Sequence, residues 1–375
     1  MAASVFRDAL LQKPRTFFKR GAMRRFWRMT VICMVLGLGL GYAFSCSKPT
    51  KPEEPKGVRL YVVEGWTNNI YVFDPQSKEL LDSLDADYTL LMALSPDGQY
   101  LFTTHDAPPA PGRQVMKKVQ TETLEIVGEM PKIGEMVFLE QGEILLRQGS
   151  GGLEFIDPIS FQVTRVDSIA LGGLASADTV GFILGVNSWG QLTAYDFRNK
   201  QVLDADSIYL SDGAMVRAAV LALHPSGKNG FGIFRDSYQR SWFIDFTTPN
   251  LEIKYVYQLF LYFGDMVEAP DGRYVIFNDP GDVWHGYRED KLYIYDVAGQ
   301  QMLRIFDLDT LSVMQEYPDA YPNSVGFSPD GATAYFGLAY GPILVYDMKS
   351  LEFIDQIQPA FDDWAPGSFV VGYKP

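Results

Sequence analysis

A short apolar run that closes on aspartate recurs along the chain, and this recurrence limits its fold more than any other feature. Six copies end at Asp74, Asp157, Asp196, Asp245, Asp296 and Asp347. From Asp157 onward the copies lie 39 to 51 residues apart, and the 83 residues between Asp74 and Asp157 hold a degenerate copy at 115–120. Such self-similarity predicts one supersecondary unit repeated seven times, with a mean period of about 45 residues.

A second repeated unit, a turn built on Pro-Asp-Gly or Pro-Ser-Gly, precedes most of these copies. It occurs at 94–98, 224–227, 269–272 and 327–331. Proline presets φ, aspartate bonds its own backbone, and glycine adopts the left-handed conformation, so the unit predicts a hairpin turn between two strands. Each repeat is therefore expected to contain an inner strand, this turn, a second strand, a loop, a third strand ending on aspartate, a turn and a fourth strand.

Seven antiparallel four-stranded units of this length predict an all-β fold, a seven-bladed β-propeller over residues 58–375. The repeats resemble the YVTN-type propeller repeat, and the likeness covers roughly residues 57–375. This resemblance implies the fold and little about activity, because such propellers carry unrelated functions.

The two ends of this region predict how the ring closes. The segment 59–64 aligns with the second strand of a repeat, and the last strand, 368–373, stands where the missing inner strand belongs. We expect the C-terminal strand to complete the first blade, which would cover both free sheet edges.

The first 45 residues have the composition of an export signal. They carry eight Lys or Arg against one acid, Asp8, and they contain the apolar stretch 29–44. A helix of that stretch would be roughly 24 Å long, shorter than the ~30 Å hydrocarbon core of a membrane.

The chain has a net charge of −14, so residues 46–375 carry −21. A body this acidic is repelled by phosphate backbones, which argues against a nucleic-acid partner.

Cys46 directly follows a small residue, Ser45, at the end of the apolar stretch. This arrangement resembles the lipobox of bacterial lipoproteins, and the resemblance implies lipidation of Cys46 and a membrane anchor, with Ser47 indicating the outer membrane. Residues 46–57 are rich in proline and charge, as expected of an extended tether. The predicted order is a signal peptide (1–45), a tether (46–57) and a propeller in the cell envelope; the alternative is an uncleaved anchor helix with an incidental cysteine.

Large aromatic residues concentrate in two sets of loops that should share one face: the loops between second and third strands, and the crossings between blades. The candidate binding residues are Trp66, Tyr88, Trp189, Tyr238, Trp284, Tyr287, Tyr321 and Trp364. Trp and Tyr are enriched at binding hot spots, so these residues predict a contact face. The alternative is that they plug the central channel or cover the ends of the blades.

Residues suited to catalysis are few. His105, Asp106, Arg235 and His285 are the candidates for an active site at the channel mouth, by analogy with lactonases and lyases on similar propellers. His105 and His285 belong to the second and sixth repeats, so a shared metal would require them to meet across the channel mouth, and no cofactor is predicted. Ca²⁺ is the alternative ligand, with oxygen donors from Asp362 and Asp363 or from Asp279 and Asp282.

Two hypotheses follow. The first is a lipid-anchored propeller that binds a protein, a glycan or another envelope component. The second is a propeller hydrolase or lyase.

Overall fold

The computed structural model describes most of the chain from residue 57 onward. The described residues are 57–64, 69–85, 89–107, 113–131, 136–139, 144–149, 151–177, 180–187, 190–210, 213, 215–236, 240–259, 265–279, 291–358 and 366–373. They form seven antiparallel sheets of four strands each, as predicted. We number the sheets as blades 1 to 7 in chain order.

Each blade has its strands in one spatial order, from the inner to the outermost. The inner strands of blades 1 to 7 are β28 (Pro366–Tyr373), β4 (Thr89–Leu94), β8 (Met136–Leu139), β12 (Leu171–Ala175), β16 (Val216–Leu223), β20 (Met266–Glu268) and β24 (Tyr321–Phe327). The second strands are β1 (Val58–Glu64), β5 (Tyr100–Ala107), β9 (Ile144–Gly149), β13 (Phe182–Asn187), β17 (Asn229–Asp236), β21 (Tyr274–Asp279) and β25 (Thr333–Ala339). The third strands are β2 (Ile70–Phe73), β6 (Arg113–Gln120), β10 (Gly152–Asp157), β14 (Leu192–Asp196), β18 (Ser241–Thr247), β22 (Lys291–Asp296) and β26 (Ile343–Asp347). The outer strands are β3 (Leu80–Leu84), β7 (Ile126–Pro131), β11 (Gln162–Asp167), β15 (Gln201–Asp206), β19 (Ile253–Gln258), β23 (Gln301–Asp307) and β27 (Glu352–Ile357).

The degenerate copy at 115–120 lies in β6, so the weakest repeat does form a blade. The crossing from blade 6 to blade 7 contains a 3-10 turn (Leu308–Thr310) and the short helix α1 (Val313–Glu316). No helix within the described residues is long and apolar enough to cross a bilayer.

Burial follows the position of a strand in its blade. All seven residues of β25 are buried, whereas β3 and β15 are mostly exposed. Middle strands are covered on both faces by neighbouring blades, which explains why their sequences are nearly continuous apolar runs instead of alternating patterns.

Seven hydrophobic clusters hold the blades together, and each lies between two neighbouring blades. An open row of seven blades would have only six such interfaces, so the seventh shows that the ring is closed. In that cluster Leu60 and Phe369 of blade 1 pack against Tyr335 of blade 7.

The closing blade has the predicted construction. β28 pairs with β1 along its length, from Val58 opposite Tyr373 to Glu64 opposite Pro366. The first and last strands of the propeller therefore meet in one sheet, and the strand that closes it begins at Pro366 instead of the predicted residue 368. The Lys78 ammonium also lies 2.5 Å from a carboxylate oxygen of Asp355 in blade 7.

Candidate functional site

The hairpin registers place two sets of loops at one end of the ring. The first residues of an inner strand pair with the last residues of the second strand in the same blade. Such pairs are Leu171 with Asn187, Val216 with Asp236, and Tyr321 with Ala339. Crossings between blades and loops between second and third strands therefore meet at this end, which we call the crossing face. The Pro-Asp-Gly turns and the turns after the third strands lie at the opposite end, the turn face.

The loop of blade 4 on the crossing face is closed by a pair of side chains. The Asn187 backbone N–H donates to the Gln191 carbonyl at 3.0 Å, and the Gln191 N–H donates to the Asn187 side-chain oxygen at 3.1 Å. The Asn187 side-chain amide in turn donates to the Gln191 side-chain oxygen at 3.0 Å. These bonds fix the base of a loop whose middle residue in sequence is Trp189.

Blade 5 repeats this construction with charged groups. The Asp236 backbone N–H donates to the Arg240 carbonyl at 3.0 Å, and the Arg240 N–H donates to the Asp236 carboxylate at 2.9 Å. The guanidinium of Arg240 lies 2.5 Å from the same carboxylate, which also accepts the Trp242 indole N–H at 3.3 Å. Asp236 is buried, so this ion pair anchors the base of the loop firmly.

A common sequence pattern accompanies these closed loop bases. A polar residue ends the second strand, a small residue follows, and an aromatic residue comes next: Asn187-Ser188-Trp189 in blade 4 and Asp236-Ser237-Tyr238 in blade 5. Blade 1 has the same order in residues 64–66, where the Glu64 N–H donates to the Asn69 carbonyl at 2.9 Å. Three of the predicted aromatic residues, Trp66, Trp189 and Tyr238, thus follow equivalent strand ends. The pattern is visible in the sequence once the blades are aligned.

Of the eight predicted aromatic residues, the structure describes Tyr321. Its ring contacts that of Tyr340, with 6.0 Å between the centroids and an edge-on angle of 64°. Tyr321 begins the inner strand of blade 7 and Tyr340 follows the second strand, so a crossing and a loop meet here through aromatic side chains. The other seven, Trp66, Tyr88, Trp189, Tyr238, Trp284, Tyr287 and Trp364, lie outside the described residues, as does Cys46.

His105, a catalytic candidate, is enclosed in blade 2. It is 1% exposed, and its two ring nitrogens lie 3.3 Å from the Thr89 hydroxyl and 2.5 Å from the Thr103 hydroxyl. Engagement of both ring nitrogens at a buried position is typical of a structural histidine and does not favour a general base that must reach substrate.

The two other catalytic candidates that belong to described strands, Asp106 and Arg235, lie in different blades. Arg235 lies at the end of β17 in blade 5, opposite Arg217, and blades 2 and 5 are not neighbours. Asp106 belongs to β5, but its side chain lies outside the described residues, and so does His285. A joint site of the four residues stays a prediction.

In five of the six copies, the repeated aspartate stabilises the turn that follows the third strand. Asp74, Asp157, Asp196, Asp296 and Asp347 each accept backbone N–H bonds from the residues two or three positions later. These bonds hold the pKa values of the Asp157 and Asp196 carboxyls below their usual range. The fourth residue after each of these aspartates has a positive φ, at Lys78, Phe161, Lys200, Gln300 and Leu351.

Asp245 departs from this role, and its expected equivalence to the other copies is wrong. The strand of blade 5 runs two residues further, so Thr247 occupies the turn position and Leu251 has the positive φ. Asp245 is instead buried, and its carboxyl accepts the Tyr295 hydroxyl of blade 6 at 2.8 Å. Burial raises the pKa of this carboxyl.

The described residues hold no group of three or more His, Cys, Asp or Glu side chains placed to bind a metal ion. Among the residues considered for Ca²⁺, Asp279 is fully buried at the end of β21, whereas Asp282, Asp362 and Asp363 lie outside the described part of the chain.

Comparison with known proteins supports the fold. No protein-family model and no curated protein sequence matches the chain. Among solved structures, the chain is similar to the hydrazine synthase of Kuenenia stuttgartiensis, with a TM-score of 0.57 and 16% identity over 76% of this chain and 90% of that one.

Two further solved structures are similar at the same level. The β-propeller domain of Cps50 (Swd1) from Myceliophteria thermophila has a TM-score of 0.57 and 11% identity, covering 79% of this chain and 93% of that one. Dihydro-heme d1 dehydrogenase NirN, solved in complex with DHE, has a TM-score of 0.53 and 15% identity, covering 87% of this chain and 77% of that one. At such identities the likeness shows the seven-bladed propeller and no activity.

Proposed function

We propose that this protein is a lipid-anchored binding module of the bacterial cell envelope, whose crossing face holds a protein, a glycan or another envelope component. The main support for the proposal is that hydrogen bonds close the bases of the crossing-face loops in blades 4 and 5. Hydrogen bonds between the first and last residues of these loops limit the entropy lost on binding, and an aromatic residue stands at the centre of each in sequence. Preorganised loops with Trp or Tyr at the middle of their sequence suit a contact surface.

The anchor rests on the order of segments in the sequence. A basic and then apolar segment precedes Cys46, and a proline-rich tether leads to the propeller. A lipid at Cys46 would hold the domain at the membrane through a flexible stalk. This arrangement suits a protein that must reach a partner near the bilayer.

The second hypothesis, a propeller hydrolase or lyase, has weaker support. Hydrazine synthase and the NirN dehydrogenase are enzymes with similar structures, so the fold is compatible with catalysis. Of the candidate catalytic residues, however, His105 is enclosed and bonded to two threonine hydroxyls. The geometry favours binding.

Site-specific photo-crosslinking in intact cells tests the binding face. The photoreactive residue p-benzoylphenylalanine replaces Trp189 or Tyr238, and a matched control places it at Lys349, an exposed residue of the turn face. We expect discrete adducts from positions 189 and 238 that are absent from position 349. Equal adduct patterns at all three positions, or adducts from position 349 alone, would contradict the proposal.

The anchor is tested separately, by the mass of the mature protein. Intact-mass measurement on membrane fractions should show the wild-type chain beginning at Cys46 and carrying lipid, and Cys46→Ala should abolish both the processing and the added mass. An unlipidated wild-type mass would refute the anchor and leave the binding face untouched.

A further inference from the structure

The centre of the ring contains an elongated cavity. Its larger part has a volume of about 670 Å³ and is lined by inner strands of blades 2 to 6, ending at Pro225 and Pro270 on the turn face. A second part of about 260 Å³ shares Met136, Leu174 and Leu221 with the first and extends to Asp265 near the crossing face. Together these parts form a channel whose size lies in the range of small-molecule sites.

The side chains that line the larger part are almost all apolar. Among its lining residues, two have polar side chains, Ser176 and Glu268. The Ser176 hydroxyl donates to the Phe138 carbonyl at 2.8 Å, so its hydrogen-bonding need is met within the protein. Glu268 differs, because its oxygen Oε1 is buried and has no hydrogen-bond partner in the described part of the structure. The lining of the larger part therefore includes a side-chain oxygen, Glu268 Oε1, that has no hydrogen-bond partner among the described residues.

The surroundings of Glu268 favour a cation. Burial, together with the nearby carboxylates of Asp271 and Asp245, raises the pKa of Glu268 to about 9. Asp265, at the far end of the channel, has its pKa raised to about 6 by burial. A positive group beside Glu268 would offset both the desolvation and the repulsion from neighbouring carboxylates.

The chemistry of the walls decides which kind of cation fits. Ca²⁺ takes six to eight oxygen ligands, and Mg²⁺ keeps several waters, so neither is satisfied by one carboxyl among apolar side chains. An ammonium group needs few acceptors and can be attached to an apolar chain that covers the walls. A molecule with an apolar chain and an ammonium group therefore matches both the apolar side chains that line the channel and the carboxyl group of Glu268.

We propose that the central channel binds a molecule with an apolar body and a primary ammonium group, and that the ammonium pairs with the carboxylate of Glu268. The apolar body lies along the inner strands between Leu174, Leu221 and Met266. This site is distinct from the crossing face and does not depend on the proposed partner.

Binding has a protonation signature. Glu268 is protonated in the free protein at neutral pH, whereas it must be ionised to pair with an ammonium group. The complex therefore forms with release of the carboxyl proton to solvent: the O–H bond of Glu268 breaks, and the ammonium keeps its three N–H bonds. About one proton per bound amine should be released near pH 7.

Isothermal titration calorimetry with hexylamine tests the site. The full-length protein in lipid nanodiscs is titrated with hexylamine and with hexan-1-ol, which has the same chain and no charge. We expect one amine per protein and, at pH 9, binding about tenfold or more tightly than the alcohol, since a charged hydrogen bond contributes about 1.5–3 kcal/mol and little free energy is then needed to ionise Glu268. Repeating the titration in buffers of different ionisation enthalpy counts the released protons.

Two variants locate the effect at Glu268. Glu268→Gln is nearly isosteric with the protonated acid, so the fold is preserved. Hexylamine affinity at pH 9 should fall about tenfold and proton release near pH 7 should vanish, with hexan-1-ol binding unchanged. Glu352→Gln is the matched control, because it removes one charge from an exposed residue in the outer strand of blade 7, none of whose described residues lines the channel, and it should change amine affinity less than about threefold. Titrating each variant in identical nanodiscs corrects for partition into lipid.

Three results would overturn the proposal. They are equal hexylamine affinity in wild type and Glu268→Gln at pH 9, equal affinity of wild type for the amine and the alcohol at pH 9, and no saturable binding of hexylamine by wild-type protein that unfolds cooperatively.

Discussion

At the residue scale, single polar groups at equivalent positions have different roles in different blades. A tyrosine precedes the repeated aspartate in blades 4, 6 and 7, at Tyr195, Tyr295 and Tyr346. The first two donate to buried carboxyls, Tyr195 to Asp167 at 2.9 Å and Tyr295 to Asp245 at 2.8 Å. The hydroxyl of Tyr346 is buried without a partner in the described structure.

This difference predicts that replacing the tyrosine by phenylalanine has opposite effects on stability in blades 6 and 7. Tyr295→Phe should lower the free energy of unfolding by about 1–3 kcal/mol, because it leaves the Asp245 carboxyl buried without its donor. Tyr346→Phe should be neutral or stabilising, because it removes an unsatisfied hydroxyl and keeps the ring. Urea denaturation of both variants gives the comparison, and equal losses of stability would contradict these assignments.

Glu268 should make stability depend on pH. Its pKa is about 9 in the folded protein against an ordinary value of 4.5, so the folded state binds the proton more tightly. The stabilisation from this proton is complete below about pH 4.5 and is lost as the pH rises toward 9.

Denaturation from pH 5 to 9 should therefore show wild-type stability falling relative to Glu268→Gln, by at most about 1.4 kcal/mol per pH unit. A constant difference between the two proteins over this range would show that Glu268 keeps an ordinary pKa.

At the element scale, the turn after each third strand imposes a left-handed residue on side chains that disfavour it. Gln300 has φ of 48° and is exposed, and the next residue, Gln301, begins a strand. Because glycine adopts positive φ without steric cost, Gln300→Gly should stabilise the protein by about 0.5–1 kcal/mol. The matched change Gln301→Gly should destabilise it by a similar amount. Thermal unfolding of the two variants tests this prediction. Destabilisation by both substitutions would argue against a left-handed conformation at Gln300.

Much of this element structure was predictable because it is periodic. The seven blades, the Pro-Asp-Gly hairpins and the closing strand all follow from patterns that repeat in the sequence. Asp245 was misassigned because the run it ends resembles the other copies, while the buried Phe246 extends the strand by two residues. The channel site could not be predicted, since Met266–Glu268 reads as an ordinary strand end until the ring places it at the centre.

At the scale of the whole molecule, closure of the ring depends on the interface between blades 1 and 7. Phe369 is buried against Leu60 and Val62 of its own blade and Tyr335 of blade 7. Phe369→Ala should lower the free energy of unfolding by about 3–5 kcal/mol, the usual cost of emptying a packed core position. The control Leu81→Ala removes a side chain that is 42% exposed and should cost less than about 0.5 kcal/mol. Similar effects of the two substitutions, measured by chemical denaturation, would contradict burial of Phe369 in the closing interface.

The faces and the channel exist only if the C-terminal strand closes the ring, so the most direct measurement is hydrogen exchange in β1 with and without that strand. In the full chain, the amides of Val58–Glu64 lie between β2 and β28 and should exchange as slowly as those of the fully buried β25. In a chain ending at Ala365, they should lose this protection, and the melting temperature should fall by about 10 °C or more. Unchanged protection and an unchanged melting temperature in the shortened chain would contradict the closed ring.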